Sequence, residues 1–208
     1  MADPRSAQPP SPEALRRLYA QPVARERLTP PPGQDFWVYG YGSLMWNPGF
    51  PHLEVRQALL YGYHRRFCVY SHRYRGTPER PGLVLGLDRG GCCHGMVFRV
   101  PAAEGVAVMD YLWEREMMTG VYIPRWVECR TLTGAVTAAG FVVDQSHPQY
   151  TGKLQMAQIA ELIVQGTGQK GPCSDYLRNT IDHLQALGIH DRRLARLMRE
   201  VRRRFDGP

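Results

Sequence analysis

The sequence predicts an α+β fold, with a curled and mostly β core and with helices segregated around it and at the C-terminus. Two patterns carry this prediction. Runs typical of β-strands fill residues 55–143 between turn signals, whereas helical periodicity takes over after residue 150. Because strands and helices do not alternate along the chain, and because no P-loop motif occurs, the sequence argues against a doubly wound nucleotide-binding sheet.

The first 34 residues are predicted to form an extension, a short helix and a connector. Residues 1–10 are rich in Pro, Ser and Ala, so we expect them to be disordered. Ser11-Pro12-Glu13 supplies an N-cap, a first-turn proline and an acidic first turn, which predicts a short helix within 11–34, followed by a Pro-rich connector. Residues 35–208 are long enough for one domain with a sizeable core, and we expect a single domain there.

The middle of that domain is predicted to be β-rich and its end helical. A strand over 36–41 is followed by five β-like runs, interrupted by one helix from Pro101 to about Met117. The runs are Gln57–Tyr70, Gly82–Asp88, His94–Val100, Val121–Leu132 and Ala135–Val143. Glycine stops then separate three predicted helices, which are Lys153–Gln165, Cys173–Leu187 and Asp191–Phe205.

Composition and charge limit the possible functions. No stretch approaches the ~18 consecutive apolar residues of a membrane span, and no apolar signal core is present, so a soluble cytoplasmic protein is expected. The net charge of +7 comes largely from arginines near the C-terminus, which interleave with apolar residues at helical spacing. This pattern favours a docked helix with a solvated basic face over a nucleic-acid-binding surface.

Neither a metal site nor a cysteine nucleophile is indicated. The seven histidines are scattered singly, without HxxxH or HExxH spacing, and no metal is expected. The five cysteines are odd in number and show no CxxC motif. Because no spacing selects a Cys–His pair, we expect reduced thiols that are buried or incidental.

Residues 36–46, with the sequence FWVYGYGSLMW, are the most informative stretch of the chain. They read as a short buried strand that ends in a glycine-punctuated loop. Gly40 and Gly42 flank Tyr41, so the main chain can take positive φ and present consecutive amides beside the Ser43 hydroxyl. Such a loop can hold an anion or a carbonyl oxygen. The alternative is a tight turn between two core strands, and the loop by itself leaves both open.

Two carboxylates at the end of the central predicted helix are candidates for proton transfer. Glu114 and Glu116 lie in an aromatic and Met-rich setting, where one of them is expected to be poorly solvated. Burial raises the pKa of a carboxyl group above its reference of about 4.3, which makes it a competent proton acceptor near neutral pH. The alternative is an ordinary surface glutamate paired with Arg115.

A third candidate segment is the loop over residues 71–82, which concentrates arginine. Its guanidinium groups can receive carboxylates through their planar fork. It can equally be a basic solvated connector, and the sequence does not choose between the two.

Taken in order, these segments resemble the ChaC-type γ-glutamylcyclotransferases, a family that acts on glutathione. The YGYGSLMW element at 39–46 is similar to the family's substrate loop, RGTPERPGLVLGLD at 75–88 to its next signature, and YLWEREM at 111–117 to the segment with its catalytic glutamate. The similarity spans about residues 35–200. It implies a small mixed or antiparallel β-barrel core with peripheral helices, a single γ-glutamylcyclotransferase-like catalytic domain over 35–208, and no cofactor.

The resemblance also implies roles for particular residues. Glu116 is expected to be catalytic, and Glu114 is its neighbour without that role. Arg75 and Tyr176 are expected to bind substrate. The same role, mainly through main-chain groups, is expected for Val38, Tyr39, Gly40, Tyr41, Gly42, Ser43 and Leu44.

The implied reaction is cyclisation of the γ-glutamyl group of glutathione, with a glutamate as general acid and base, releasing 5-oxoproline and Cys-Gly. Two alternatives stay open from the sequence. One is a cyclotransferase for other γ-glutamyl amines or dipeptides, and the other is a non-catalytic γ-glutamyl-binding regulatory protein. The expected partner is a small molecule, with no nucleic acid and no membrane, and the oligomeric state is not predicted.

Overall fold

The structure, a computed structural model, describes residues 9–20, 23 and 25–205. Residues 1–8 of the predicted N-terminal extension lie outside this part of the chain. Backbone contacts divide the chain into two units. The first, here named the barrel unit, consists of residues 22–65 and 87–144; the second, the helical unit, consists of residues 1–21, 66–86 and 145–208.

The sheet is a closed five-stranded barrel with the strand order β1-β3-β2-β4-β5. Its strands are β1 (Phe36–Gly40), β2 (Glu54–Ser71), β3 (Gly82–Val100), β4 (Tyr122–Thr131) and β5 (Gly134–Val143). Strand β1 pairs antiparallel with β3, which sets Gly40 opposite Met96. It also pairs in parallel with β5, which sets Trp37 opposite Ala138 and makes the barrel mixed. The predicted mixed or antiparallel barrel is confirmed.

One predicted strand break is wrong. The sequence predicts separate strands before and after a turn at residues 89–91, but β3 runs without interruption from Gly82 to Val100. Gly90 and Gly91 have φ values of +94° and +72°. Two glycines with positive φ can bend a strand locally without ending it. The local turn signal therefore marks a bend within a long strand.

Helix α2 (Gly105–Glu116) belongs to the barrel unit and follows a single 3₁₀ turn over Ala102–Glu104. It buries Val108, Met109 and Leu112. At its start the chain passes close to β1, since a Cβ atom built on Gly105 would lie 3.3 Å from the ring of Phe36. The helix starts against β1 and its last two residues are Arg115 and Glu116.

Four more helices of the described residues belong to the helical unit. They are α1 (Pro12–Ala20), α3 (Met156–Gln165), α4 (Cys173–Ala186) and α5 (Arg192–Phe205). Helix α3 begins three residues later than predicted, because Gln155 caps it and forms a reciprocal capping box with Gln158. Helix α5 packs against α3 and α4 and buries Leu194, Leu197 and Val201. This arrangement confirms a docked helix with a basic outer face.

A two-stranded hairpin in the helical unit was not predicted. It consists of β6 (Thr167–Gly168) and β7 (Gly171–Pro172). Residues 166–171 have the spacing GxGxxG, but they follow helix α3 rather than a strand, so they are not a dinucleotide-binding turn. Among the described residues, no helix is both long enough and apolar enough to cross a bilayer.

Gly95 lies at a close contact between β3 and β1. A Cβ atom at this position would overlap the carbonyl oxygen of Gly40 and the ring of Tyr39. We expect Gly95→Ala to lower the free energy of unfolding by about 1–3 kcal/mol, because the added methyl group overpacks this crossing. Urea denaturation followed by tryptophan fluorescence measures the change. Thr137→Ala, at an exposed position of β5, is the control, and equal stability of both variants would contradict the close crossing.

Candidate active site

The end of β1 leads directly into a 3₁₀ turn over Ser43–Met45. Neither Gly40 nor Gly42 takes a positive φ, so that sequence-based expectation is wrong. Gly40 is needed instead for close packing, because a Cβ atom there would lie 3.0 Å from the Leu44 Cβ and 3.3 Å from the amide nitrogen of Met45. The absence of a side chain lets the turn fold back over the end of the strand.

This turn presents main-chain donors. It is closed by the Met45 amide, which donates to the Gly42 carbonyl at 2.9 Å, and by the Asn47 amide, which donates to the Ser43 carbonyl at 2.9 Å. The first amides of a helical turn have no acceptor within the turn, which applies here to Ser43 and Leu44. Consecutive N–H groups of this kind can bind a carboxylate or a carbonyl oxygen.

The side chains of the predicted substrate loop are mostly turned into the protein. Val38 and Tyr39 have no exposed surface, and Tyr41 and Leu44 are buried. The Tyr39 hydroxyl donates to the Cys93 carbonyl at 2.8 Å, and burial raises the pKa of Tyr39 well above its ordinary value. These residues can therefore serve a ligand through the main chain, as the resemblance implies for the loop.

Arg115, near the end of α2, contacts the segment that follows the 3₁₀ turn. Its Nη1 donates to the carbonyl oxygens of Asn47 at 2.7 Å and Pro48 at 3.2 Å. Its Nη2 donates to the Ser43 hydroxyl oxygen at 3.0 Å. One guanidinium group thus holds residues 43–48 against the end of the helix.

Glu116 is paired with the same guanidinium group. Its Oε1 lies 3.2 Å from the Arg115 Nε, and only 18% of the Glu116 side-chain surface is exposed. Burial raises the pKa of Glu116, and the charge and hydrogen bond of Arg115 act in the opposite direction. Glu114 is exposed on the same helix. Of the two candidate glutamates, Glu116 is therefore the poorly solvated one, and it also forms the ion pair with Arg115.

The structure brings Ser43 and Glu116 to the same place although they are far apart in sequence. Both contact the Arg115 guanidinium, one through Nη2 and the other through Nε. Sequence reasoning missed this role and treated Arg115 only as the partner of a surface acid. The available signal was its position next to a candidate acid in the last turn of a helix.

Arg75 and Tyr176 meet within the helical unit. The Arg75 guanidinium lies over the Tyr176 ring, with its Cζ 5.1 Å from the ring centroid. Its Nη1 also donates to the carbonyl oxygens of Lys170 at 2.5 Å and Pro172 at 3.2 Å. Part of the Arg75 guanidinium group thus supports the β6–β7 hairpin, so this arginine has a structural role in addition to any role in binding.

Glycines fix the main chain around Arg75. A Cβ atom on Gly82 or on Gly166 would overlap or crowd the Arg75 carbonyl group. A Cβ atom on Gly76 would likewise overlap the Ser71 carbonyl oxygen. The main chain of Arg75 is therefore packed on several sides by other main-chain segments of the helical unit.

No cluster of three or more His, Cys, Asp or Glu side chains arranged to hold a metal ion occurs within the described ranges. The five cysteines are free thiols, of which Cys92 is exposed and the other four are buried. Burial raises the pKa values of Cys129 and Cys173 to about 12, so both remain neutral thiols near neutral pH.

The fold places the protein among structures of the γ-glutamylcyclotransferase type. A crystal structure of a selenomethionine-labelled γ-glutamyl cyclotransferase specific to glutathione from yeast superposes with a TM-score of 0.75. The match covers 81% of this chain and 96% of the yeast chain, at 22% sequence identity. At this identity the likeness concerns the fold.

Sequence comparison identifies the family more narrowly. The family model for ChaC-like protein matches residues 36–204. The glutathione-specific γ-glutamylcyclotransferase of Escherichia coli K12 is 37% identical over 168 residues, which are 80% of this chain and 73% of the relative. The glutathione-specific γ-glutamylcyclotransferase 1 of Mus musculus is 32% identical over 160 residues, covering 74% and 72%. The chain belongs to the ChaC-like family, and the resemblance seen in its motifs is confirmed.

The buried carboxylate predicts an unusual effect of Glu116→Gln on stability. Since the pKa of Glu116 is raised in the folded state, stability declines as the pH rises from the unfolded-state pKa through the folded-state pKa. Glutamine has no charge to bury. We therefore expect the variant's melting temperature to equal or exceed that of the wild type at neutral pH, with the difference shrinking toward about pH 4.

Differential scanning calorimetry of both proteins across this pH range measures the effect. Glu114→Gln, which removes an exposed carboxylate from the same helix, is the matched control and should change the melting temperature little at any pH. A Glu116→Gln protein that is much less stable than the wild type at neutral pH would show that the ion pair with Arg115 outweighs the cost of burial, and would contradict the raised pKa of this carboxyl group.

Proposed function

We propose that this protein is a glutathione-specific γ-glutamylcyclotransferase, which converts glutathione to 5-oxoproline and Cys-Gly. The proposal is supported by membership of the ChaC-like family and by relatives that bear this name. The observation that carries it is the Arg115 guanidinium, which contacts both the mostly buried Glu116 and Ser43, at the start of the 3₁₀ turn.

The substrate supplies its own nucleophile in this reaction. The α-amine of a γ-glutamyl amide attacks the γ-carbonyl carbon, and a five-membered ring forms. The bond between that carbon and the cysteine nitrogen then breaks. Well-oriented intramolecular reactions reach effective molarities of ~10⁵ M or more, so holding the two groups in register can supply much of the rate enhancement. No serine or cysteine nucleophile from the protein is required.

Glu116 is the proposed proton-transfer group. The α-amine must lose a proton before or during attack, and the departing nitrogen must gain one. A carboxylate with a raised pKa can accept the first proton near neutral pH and return it to the leaving nitrogen, so the protons balance over the cycle. This role requires Glu116 to begin the cycle ionised.

The main chain of residues 38–44 is the proposed binding segment for the γ-glutamyl group. The amides of Ser43 and Leu44 can donate to the oxygen that becomes negatively charged in the tetrahedral intermediate, or to the α-carboxylate. Tight packing around Gly40 keeps these donors in place, which is what preorganised stabilisation requires.

Arg75 and Tyr176 remain proposed substrate-binding residues. A guanidinium group suits the carboxylates of a γ-glutamyl peptide, and the ring of Tyr176 orients it. If they bind substrate, Tyr176→Leu should raise KM for glutathione. Arg73→Met, at an exposed position of the same loop as Arg75, should leave KM unchanged.

We also propose that residues 35–208 act as a single catalytic domain in the cytoplasm, without a metal, a cofactor, a nucleic-acid partner or a membrane partner. The free thiols suit a reducing compartment, which supports the cytoplasmic assignment. Cyclisation needs no oxidant, metal or cofactor, which supports the rest of the proposal. Release of 5-oxoproline in the presence of a chelator tests the metal-free part directly.

The catalytic assignment predicts a specific pair of results. Glu116→Gln should lower the rate of 5-oxoproline release from reduced glutathione by at least about 100-fold, because general acid–base catalysis is lost. Glu114→Gln should keep wild-type activity. Chromatographic quantification of 5-oxoproline measures both. A fully active Glu116→Gln variant would exclude the mechanism.

Substrate preference is a separate prediction. Wild-type protein should release 5-oxoproline faster from reduced glutathione than from γ-glutamyl-alanine or γ-glutamyl-lysine. If the protein releases 5-oxoproline faster from one of the other two compounds, that compound replaces glutathione as the assigned substrate. Stoichiometric binding of glutathione without turnover would instead indicate a γ-glutamyl-binding protein that is not an enzyme.

A further inference from the structure

We propose that Arg115 is a positioning residue that ties the carboxylate of Glu116 to the substrate loop, so that the proton-transfer group and the loop donors keep one fixed separation. This inference rests on the proposed function of Glu116. It adds a residue that does not contact the reacting atoms, and it explains how two distant parts of the sequence stay in register.

The contacts of Arg115 have the geometry of a clamp. Its guanidinium group donates to three oxygens of residues 43–48 and lies beside the Glu116 carboxylate. Two of those loop oxygens belong to the main chain. A guanidinium group presents five N–H donors in a rigid plane, whereas an ammonium group is a single point charge. Lysine therefore cannot reproduce this set of contacts.

The clamp is sheltered from solvent. Only 19% of the Arg115 side-chain surface and 18% of the Glu116 side-chain surface are exposed. An ion pair in such surroundings is screened less by water than a pair on the surface. The pair uses Oε1 of Glu116, so a proton can be exchanged at Oε2 while the contact to Arg115 persists.

Arg115 is itself supported by Tyr111, one helical turn earlier. Its Nη1 donates to the Tyr111 hydroxyl oxygen at 2.8 Å. Gly49 makes room for that hydroxyl group, because a Cβ atom there would overlap it, and the φ of Gly49 is +72°. Tyr111 of the helix and Gly49 of the loop thus fit together beside the guanidinium group.

The electrostatic surroundings of Glu116 point to Arg115 as the charge that acts on it. Residues 43–48 carry no ionisable side chain, and they contribute a hydroxyl group and main-chain carbonyls to the clamp. On α2, Arg115 and the Tyr111 phenol are in the cluster, whereas Glu114 is exposed and Asp110 pairs with Arg27. Loss of the Arg115 charge should therefore raise the pKa of Glu116.

The test compares pH profiles of kcat/KM for 5-oxoproline release from glutathione. Because Glu116 must be ionised, activity rises with pH through its pKa. Arg115→Met should move this rise to higher pH and lower the maximal kcat/KM by about 100-fold, the effect of misplacing a catalytic group by about 1 Å. Arg115→Lys should keep the rise near its wild-type pH but still lose about 10-fold, because the charge remains and the fork is lost.

Arg27→Met is the matched control. Arg27 also pairs with an acid of α2, Asp110, but both side chains are more than half exposed. Its kcat/KM and its pH profile should remain those of the wild type, since exposed ion pairs contribute little.

A second variant covers the case in which Arg115→Met does not fold. Tyr111→Phe removes one hydrogen bond to Arg115 and keeps every charge, so it should lower kcat/KM by about 3- to 10-fold with an unchanged pH profile. Full activity of Tyr111→Phe, or an Arg115→Met profile that rises at the wild-type pH, would overturn the inference. A wild-type protein that releases no 5-oxoproline would instead refute the proposed function.

Discussion

The candidate site depends on one mostly buried guanidinium group, that of Arg115. Arg115 joins the end of α2 to the loop after β1, and these are the two places where the sequence carries its candidate chemistry. The barrel makes this possible because β1 and α2 belong to the same unit and the helix begins against the strand. Burial raises the proton affinity of Glu116 and Arg115 limits that increase, so the carboxylate can both accept and release a proton.

Much of the fold could be predicted from local patterns. Strand alternation, helix caps and glycine stops indicated the main elements, and the apolar stripe of α5 indicated its buried face. Barrel closure could not be read from these patterns, because the parallel pairing of Trp37 with Ala138 joins strands distant in sequence. The continuity of β3 through Gly90 was missed for a related reason, since a glycine signal does not distinguish a bend from a turn.

The candidate site was predicted in parts. The aromatic surroundings of Glu116 indicated a poorly solvated acid, and the motif order indicated the loop. The reason for Gly40 was misjudged, because close packing against Leu44 depends on a turn that sequence spacing does not show. The role of Arg115 was missed since its main-chain acceptors, such as the Asn47 carbonyl, have no sequence signature. Hydrogen bonds to the main chain become visible only in the folded structure.

The most direct measurement is a crystal structure of the Glu116→Gln variant with reduced glutathione bound. In that complex the γ-glutamyl group should lie along the main chain of residues 38–44. Its α-amino nitrogen should lie within about 3.2 Å of the side-chain amide at position 116, or one water molecule away, as proton transfer requires. Glutathione bound elsewhere, or with its α-amine turned away from residue 116, would show that this loop and this carboxylate do not form one site.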